Sequence, residues 1–100
     1  MFTVDETVYT LKYNTKKLKT IETVTKTSVV GEIVKNNGIL SYAVLESLFS
    51  LALIEEATKA VVKQKDAIDM FEKVVEENGL VTVNNAIVEK LQDDLGFLFR

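Results

Sequence analysis

The chain has 100 residues, 47% apolar and 27% charged, with a formal net charge of −3. That is the balance of one soluble globular domain over residues 1–100, with room for a single modest core. It has no cysteine and no histidine, which excludes disulfides, thiolate zinc sites and cysteine nucleophiles and removes the commonest general base and transition-metal ligand.

Residues 1–14 hold two short alternating runs around a polar turn. Phe2 and Val4 fall on one face of the first, and Tyr9, Leu11 and Tyr13 line one face of the second. A period of two predicts a β-hairpin. Its turn, Asp5-Glu6-Thr7, lacks the glycine that a two-residue primed turn prefers. No basic segment leads into an apolar stretch, so no secretory signal is expected.

From residue 15 the period becomes helical. Asn14 or Thr15 can cap a short helix with Leu18, Ile21 and Val24 on one side. Lys12, Lys16, Lys17 and Lys19 cluster at the hairpin exit, and residues 1–36 carry six lysines against four carboxylates. Residues 37–100 reverse this, with eleven carboxylates against six basic side chains. The basic surplus is smaller than a nucleic-acid footprint needs, so no nucleic-acid partner is expected. Ser28 can cap a second helix carrying Val29, Val30, Ile33 and Val34, and Asn36-Asn37-Gly38 is a stop signal.

Ser41 caps the third helix, the most apolar segment. Tyr42, Ala43, Val44, Leu45, Leu48, Phe49, Leu51, Ala52, Leu53 and Ile54 cover nearly its whole circumference. A helix apolar all round is either central in its domain or shared with a partner. The stretch Asn36–Ile54 contains polar residues and Glu46, so a membrane helix is not expected. The expected compartment is the cytoplasm.

Glu55 to Lys59 end or bend that helix, and Ala60, Val61 and Val62 continue it or form a connector. A fourth helix carries the stripe Ala67, Ile68, Phe71, Val74 and Val75, with Gly79 as its stop. Thr82 is the expected cap of a last helix with Ala86, Ile87, Leu91 and Leu95 inward, ended by Gly96. Phe97 and Leu98 either fold back to close the core or, as a peptide-like anchor, enter a groove on another chain. Phe99 is the residue expected to stay available.

Catalysis without His or Cys needs paired carboxylates, a lysine or a hydroxyl nucleophile. Glu55-Glu56, Glu76-Glu77 and Asp93-Asp94 are adjacent in sequence, and adjacent helical residues do not face each other. No glycine-rich phosphate cradle and no calcium-loop spacing occurs. No catalytic residue, metal site or cofactor is expected.

Phe2-Thr-Val-Asp5, then Val8-Tyr-Thr-Leu-Lys-Tyr13, then Lys17-Leu18-Lys-Thr-Ile21-Glu22 and Thr25-Lys26-Thr-Ser28-Val29 resemble the small tail assembly chaperones of long-tailed siphophages and prophages. That family's opening pattern is F-x-I-D-G-K-x-Y-x-L-K, followed by a Leu-x-x-Ile-Glu helix and a Thr-Gly-Lys-Ser-like break. Both the turn and the break lack glycine here. The resemblance implies a non-catalytic protein that coats the helical tape measure protein before tube subunits polymerise, keeps it soluble, and is absent from the finished tail. A phage connector or tail-completion protein, or a helical regulatory module, would share the layout.

The expected fold is α+β and mostly helical, an N-terminal β-hairpin followed by four or five packed helices. Its expected core is Leu18, Ile21, Leu45, Leu48, Phe49, Leu53, Phe71, Val74, Ile87 and Leu91. Self-association is expected through the third helix, and Leu51, Phe97 and Phe99 are the candidate protein-binding residues.

Overall fold

The computed structural model describes residues 2–100; Met1, the first residue of the expected hairpin and domain, lies outside the described residues. The elements are β1 (Phe2–Val4), β2 (Thr7–Leu11), α1 (Thr15–Thr25), α2 (Val29–Lys35), α3 (Tyr42–Ala52), β3 (Leu53–Glu55), α4 (Gln64–Asn78), α5 (Leu80–Leu95) and a 3-10 turn over Gly96–Phe99. The fold is α+β and mostly helical. Its antiparallel sheet has three strands in the order β1-β2-β3, one more than the hairpin that the alternation predicts.

Phe2 stands opposite Tyr9 and Val4 opposite Thr7, leaving Asp5 and Glu6 as a two-residue loop. Both are left-handed, with φ of 49° and 68°. This is the primed geometry, whose twist matches that of the strands; Asp tolerates it through its short polar side chain, and Glu less well. The third strand replaces what the apolar run predicts as the end of the third helix. Leu11 pairs with Leu53 and Thr10 with Ile54, because the free edge of β2 offers main-chain partners that end the helix at Ala52. Lys12 N–H donates to Ala52 C=O at 3.2 Å, and Glu56 N–H to Val8 C=O at 2.9 Å. The chain then turns through Lys59, also left-handed at φ 61°, and Val61 returns beside Ile54. Residues 60–62 are therefore a connector.

Three helix starts follow their cap residues. Asn14 rather than Thr15 caps α1, accepting from Lys17 N–H at 2.7 Å. Ser28 accepts from Gly31 N–H at 3.1 Å and Ser41 from Val44 N–H at 3.2 Å. The last helix departs from expectation: Thr82 lies inside α5, which begins at Leu80. Gly79, at φ 86°, reverses the chain in a single residue, so α5 starts without a side-chain cap.

Helix α3 is the hub, with α1, α4 and α5 all packed on it. Leu18, Ile21, Leu45, Leu48, Phe49, Leu53, Phe71, Ile87 and Leu91 are buried, while Val74 is partly buried against them. Ala86, read as inward, stands outside, and so do Val24 and Val34 among the apolar positions of α1 and α2. For Val24 the reason is geometric. A strict three-residue spacing drifts by roughly 60° per step around a helix of 3.6 residues per turn, so the third member of Leu18, Ile21, Val24 leaves the face.

Two polar clamps lock the loops and the sheet to the helices. Buried Asn84 accepts from Leu40 N–H at 2.9 Å and donates to Gly38 C=O at 2.8 Å. The buried Tyr13 hydroxyl donates to Leu48 C=O at 2.7 Å, and Tyr13 N–H donates to Asp94 Oδ2 at 2.9 Å. Burial first, and Asp94 second, push the Tyr13 phenol well above its ordinary value.

Candidate protein-binding surfaces

Among the described residues, β1 covers β2 only as far as Tyr9. Where Thr10 and Leu11 run on, a cleft of ≈ 370 Å³ opens between the sheet and α4–α5. Its floor is apolar, from Phe2, Leu11, Phe49, Val83 and Ile87; Asn78, Thr82, Glu89, Lys90 and Asp93 form a polar rim. A relay of rings supports the floor. Phe2 lies 5.5 Å from Phe49, and Phe49 lies 5.3 Å from Phe71, centroid to centroid. Lys90 is held by Asp94 at 3.1 Å, which leaves the rim carboxylates Glu89 and Asp93 without an ion-pair partner among the described residues. Chemically, such a cleft can desolvate a few apolar side chains and set their direction by the rim.

A shallower hollow lies between the hairpin turn and α4, lined by Val4, Thr7, Tyr9 and Met70 with Asp5, Asp66, Asp69 and Lys73. Lys73 reaches Asp5 at 3.7 Å; both side chains are well exposed, so the pair contributes little. Among the described residues no group of three His, Cys, Asp or Glu side chains is placed to hold a metal ion, and no helix is long and apolar enough to cross a membrane.

At the opposite end of α3 from the sheet, Tyr42 is 41% exposed, its ring edge-on to Phe71 at 5.2 Å. Desolvation first, then the carboxylates of Glu72, Glu46 and Glu76, raise its phenol above the ordinary 10.0. Asn84 holds Ile39 close to the start of α5, where Leu80 stands one helical turn before Asn84. Ile39 and Leu80 are both exposed.

The sequence-derived candidates do not converge. Leu51 is half-buried against the core on α3, Phe97 is 50% exposed, and Phe99 is partly buried. None of the three lines either hollow. In the tail Leu98 folds back onto the core as expected, but Phe97 and Phe99 exchange places: Phe99 packs on the core while Phe97 faces out. In a 3-10 helix residues i and i+3 eclipse, so Leu98 follows buried Leu95 inward and Phe97 is turned away. Sequence reading missed the cleft wall on α5. A signal was present, because Thr82, Ala86, Glu89 and Asp93 recur every three or four residues beside the buried stripe. Comparison of the chain with protein-family models, curated proteins and solved structures finds no match.

Proposed function

We propose that the chain is a non-catalytic assembly chaperone of the phage-tail type. In this reading it binds the long helical tape measure protein in the host cytoplasm, keeps it soluble until tube subunits enclose it, and leaves before the particle is complete. The observation that carries the reading is the open, apolar-floored cleft beside α5. Its apolar floor and polar rim suit side chains presented at i, i+3 and i+4 by an amphipathic helix, one of the recurring modes of peptide recognition. The hairpin and α1 motifs that resemble the family add to it. The exposed carboxylates of α4 and α5 keep a loaded complex dispersed. In this reading Phe97 offers a separate exposed apolar contact, whereas Phe99 and Leu51 contribute through the core that they pack against.

The experiment is co-expression with a tape measure chain, reading the fraction of that chain in the soluble phase. The wild-type protein is expected to hold it in solution. Ala86→Arg, which plugs the cleft from an exposed position, is expected to return it to the pellet. Recovery of no complex with the wild type would end the chaperone reading. A complex that ignores Ala86→Arg would remove the cleft from it.

A further inference from the structure

The dipeptide Asn-Gly occurs at two helix ends. Asn37-Gly38 follows α2, and Asn78-Gly79 closes α4. Both glycines are left-handed, with φ of 84° and 86°. Both donate N–H back to their helix at 2.7 Å, Gly38 to Ile33 C=O and Gly79 to Val75 C=O. Asparagine before glycine is chemically labile, because the glycine nitrogen can attack the side-chain amide carbon with no Cβ in its way. As sequence the two sites are equal. The fold makes them unequal.

Asn78 is the last residue of α4, and its Nδ2 donates to Val74 C=O at 2.9 Å, which ties the side-chain amide down. Helix α4 has fifteen residues and packs on both α3 and α5, so releasing Gly79 N–H means opening a well-anchored helix end. Asn37 is exposed and lies beyond the end of α2, with φ of 55°. Its side chain makes no hydrogen bond among the described residues, whereas the amide of neighbouring Asn36 donates to Glu32 at 2.6 Å. Helix α2 has only seven residues, a length that is marginal by itself. No element packs on it as α3 and α5 pack on α4. Segments with few packed neighbours open locally at low cost, and one such opening frees the Gly38 nitrogen.

From this contrast we infer that Asn37 is a self-modification site: the folded chain deamidates there, while Asn78 is protected. The Gly38 nitrogen bonds to Asn37 Cγ and gives up its proton, and the side-chain nitrogen leaves as ammonia. Water then opens the cyclic imide. Addition at Cγ breaks the new bond and leaves aspartate in place of Asn37. Addition at the main-chain carbonyl carbon breaks the original peptide bond and leaves isoaspartate, with the backbone one carbon longer. Buried Asn84 grips the groups just beyond, accepting from Leu40 N–H and donating to Gly38 C=O. The longer backbone loosens that clamp; the aspartate product keeps it. None of this depends on the chaperone reading.

The test is incubation of the intact folded chain in mildly alkaline buffer, beside a sample in denaturant, with peptide mapping by mass spectrometry. Conversion at Asn37 is expected to run at least about tenfold faster than at Asn78 in the folded chain, and within about twofold of it in denaturant. Amide exchange should agree, with Gly38 N–H exchanging faster than Gly79 N–H. The isolated isoaspartate form should unfold at lower denaturant than the Asn37→Asp variant. Equal or faster conversion at Asn78 in the folded chain overturns the inference. So does a folded chain unmodified at Asn37 while the denatured chain reacts, or a Gly38 N–H more protected than that of Gly79. An isoaspartate form as stable as Asn37→Asp overturns the part assigned to Asn84.

Discussion

Helix α3 and the segment Gly96–Phe99 are the two apolar-rich stretches whose side chains, by sequence, could belong to the core or to a partner, and the fold treats them oppositely. Three helices pack on α3 and Phe2 of β1 lies against Phe49, so Leu45, Leu48, Phe49 and Ala52 are all buried within the one molecule. The terminal turn has only α5 beside it as a main neighbour, and it presents one side inward and Phe97 outward. Apolar content alone does not decide between core and interface. What decides is how many elements the chain can bring up to the segment, and a mid-chain helix flanked by α1 and α4 has the advantage.

The strongest way to break this comparison is at Leu48, fully buried at the centre of α3. Leu48→Ala is expected to cost about 2–5 kcal/mol, the range for emptying a well-packed core site. Denaturant unfolding would measure it. A loss below ~1 kcal/mol would mean that α3 is less enclosed than its neighbours indicate.

Alkali probes the same helix through Tyr13, whose hydroxyl donates to Leu48 C=O. The folded state keeps this phenol protonated, because burial and Asp94 raise its pKa above the unfolded value. Its contribution is therefore complete below about pH 10 and is lost as pH rises beyond it, by about 1.4 kcal/mol per pH unit. Unfolding curves between about pH 8 and pH 11.5 should show that slope above the ordinary phenol pKa. Tyr13→Phe should remove most of it, the remainder belonging to Tyr42, also raised. A Tyr13→Phe variant with the full slope would place the titration elsewhere.

Ser50 sharpens the comparison in the other direction. It is 3% exposed on α3, and its hydroxyl finds no hydrogen-bond partner among the described residues. Ser50→Ala is expected to raise stability by about 1 kcal/mol, since a buried hydroxyl without a partner keeps its desolvation penalty. A destabilised variant would reveal a partner for that hydroxyl.

The smallest effect belongs to the tail. Phe97→Ser should change stability by no more than about 0.5 kcal/mol, as for other surface substitutions. Leu98→Ser, at a residue packed against the core, should cost clearly more. Equal losses at the two positions would mean that the 3-10 turn does not sort them.

Much of the fold is legible because it depends on local chemistry. Asn14, Ser28 and Ser41 announce helix starts with side-chain oxygens that reach the free N–H groups of the first turn. The alternation of Phe2, Val4, Tyr9 and Leu11 announces the hairpin, and nine of the ten expected core residues are buried outright. The candidate surfaces were far less legible. Leu51 and Phe97 stand out by hydrophobicity, yet the cleft is built from residues as far apart as Phe2, Phe49 and Ile87, which no local window joins.

The sequence by itself determined the hairpin, the helices, the caps of α1, α2 and α3 and most of the inward stripes, because these rest on interactions within a few residues along the chain. Tertiary structure alone decided that Leu53–Glu55 is a strand, since an apolar run of that length suits helix or strand equally and only the free edge of β2 selects one. It also decided that α3 lies among three helices and that the cleft opens beside α5. Those outcomes depend on which surfaces meet across long sequence separations, and main-chain pairing, burial and charge there are properties of the packed molecule.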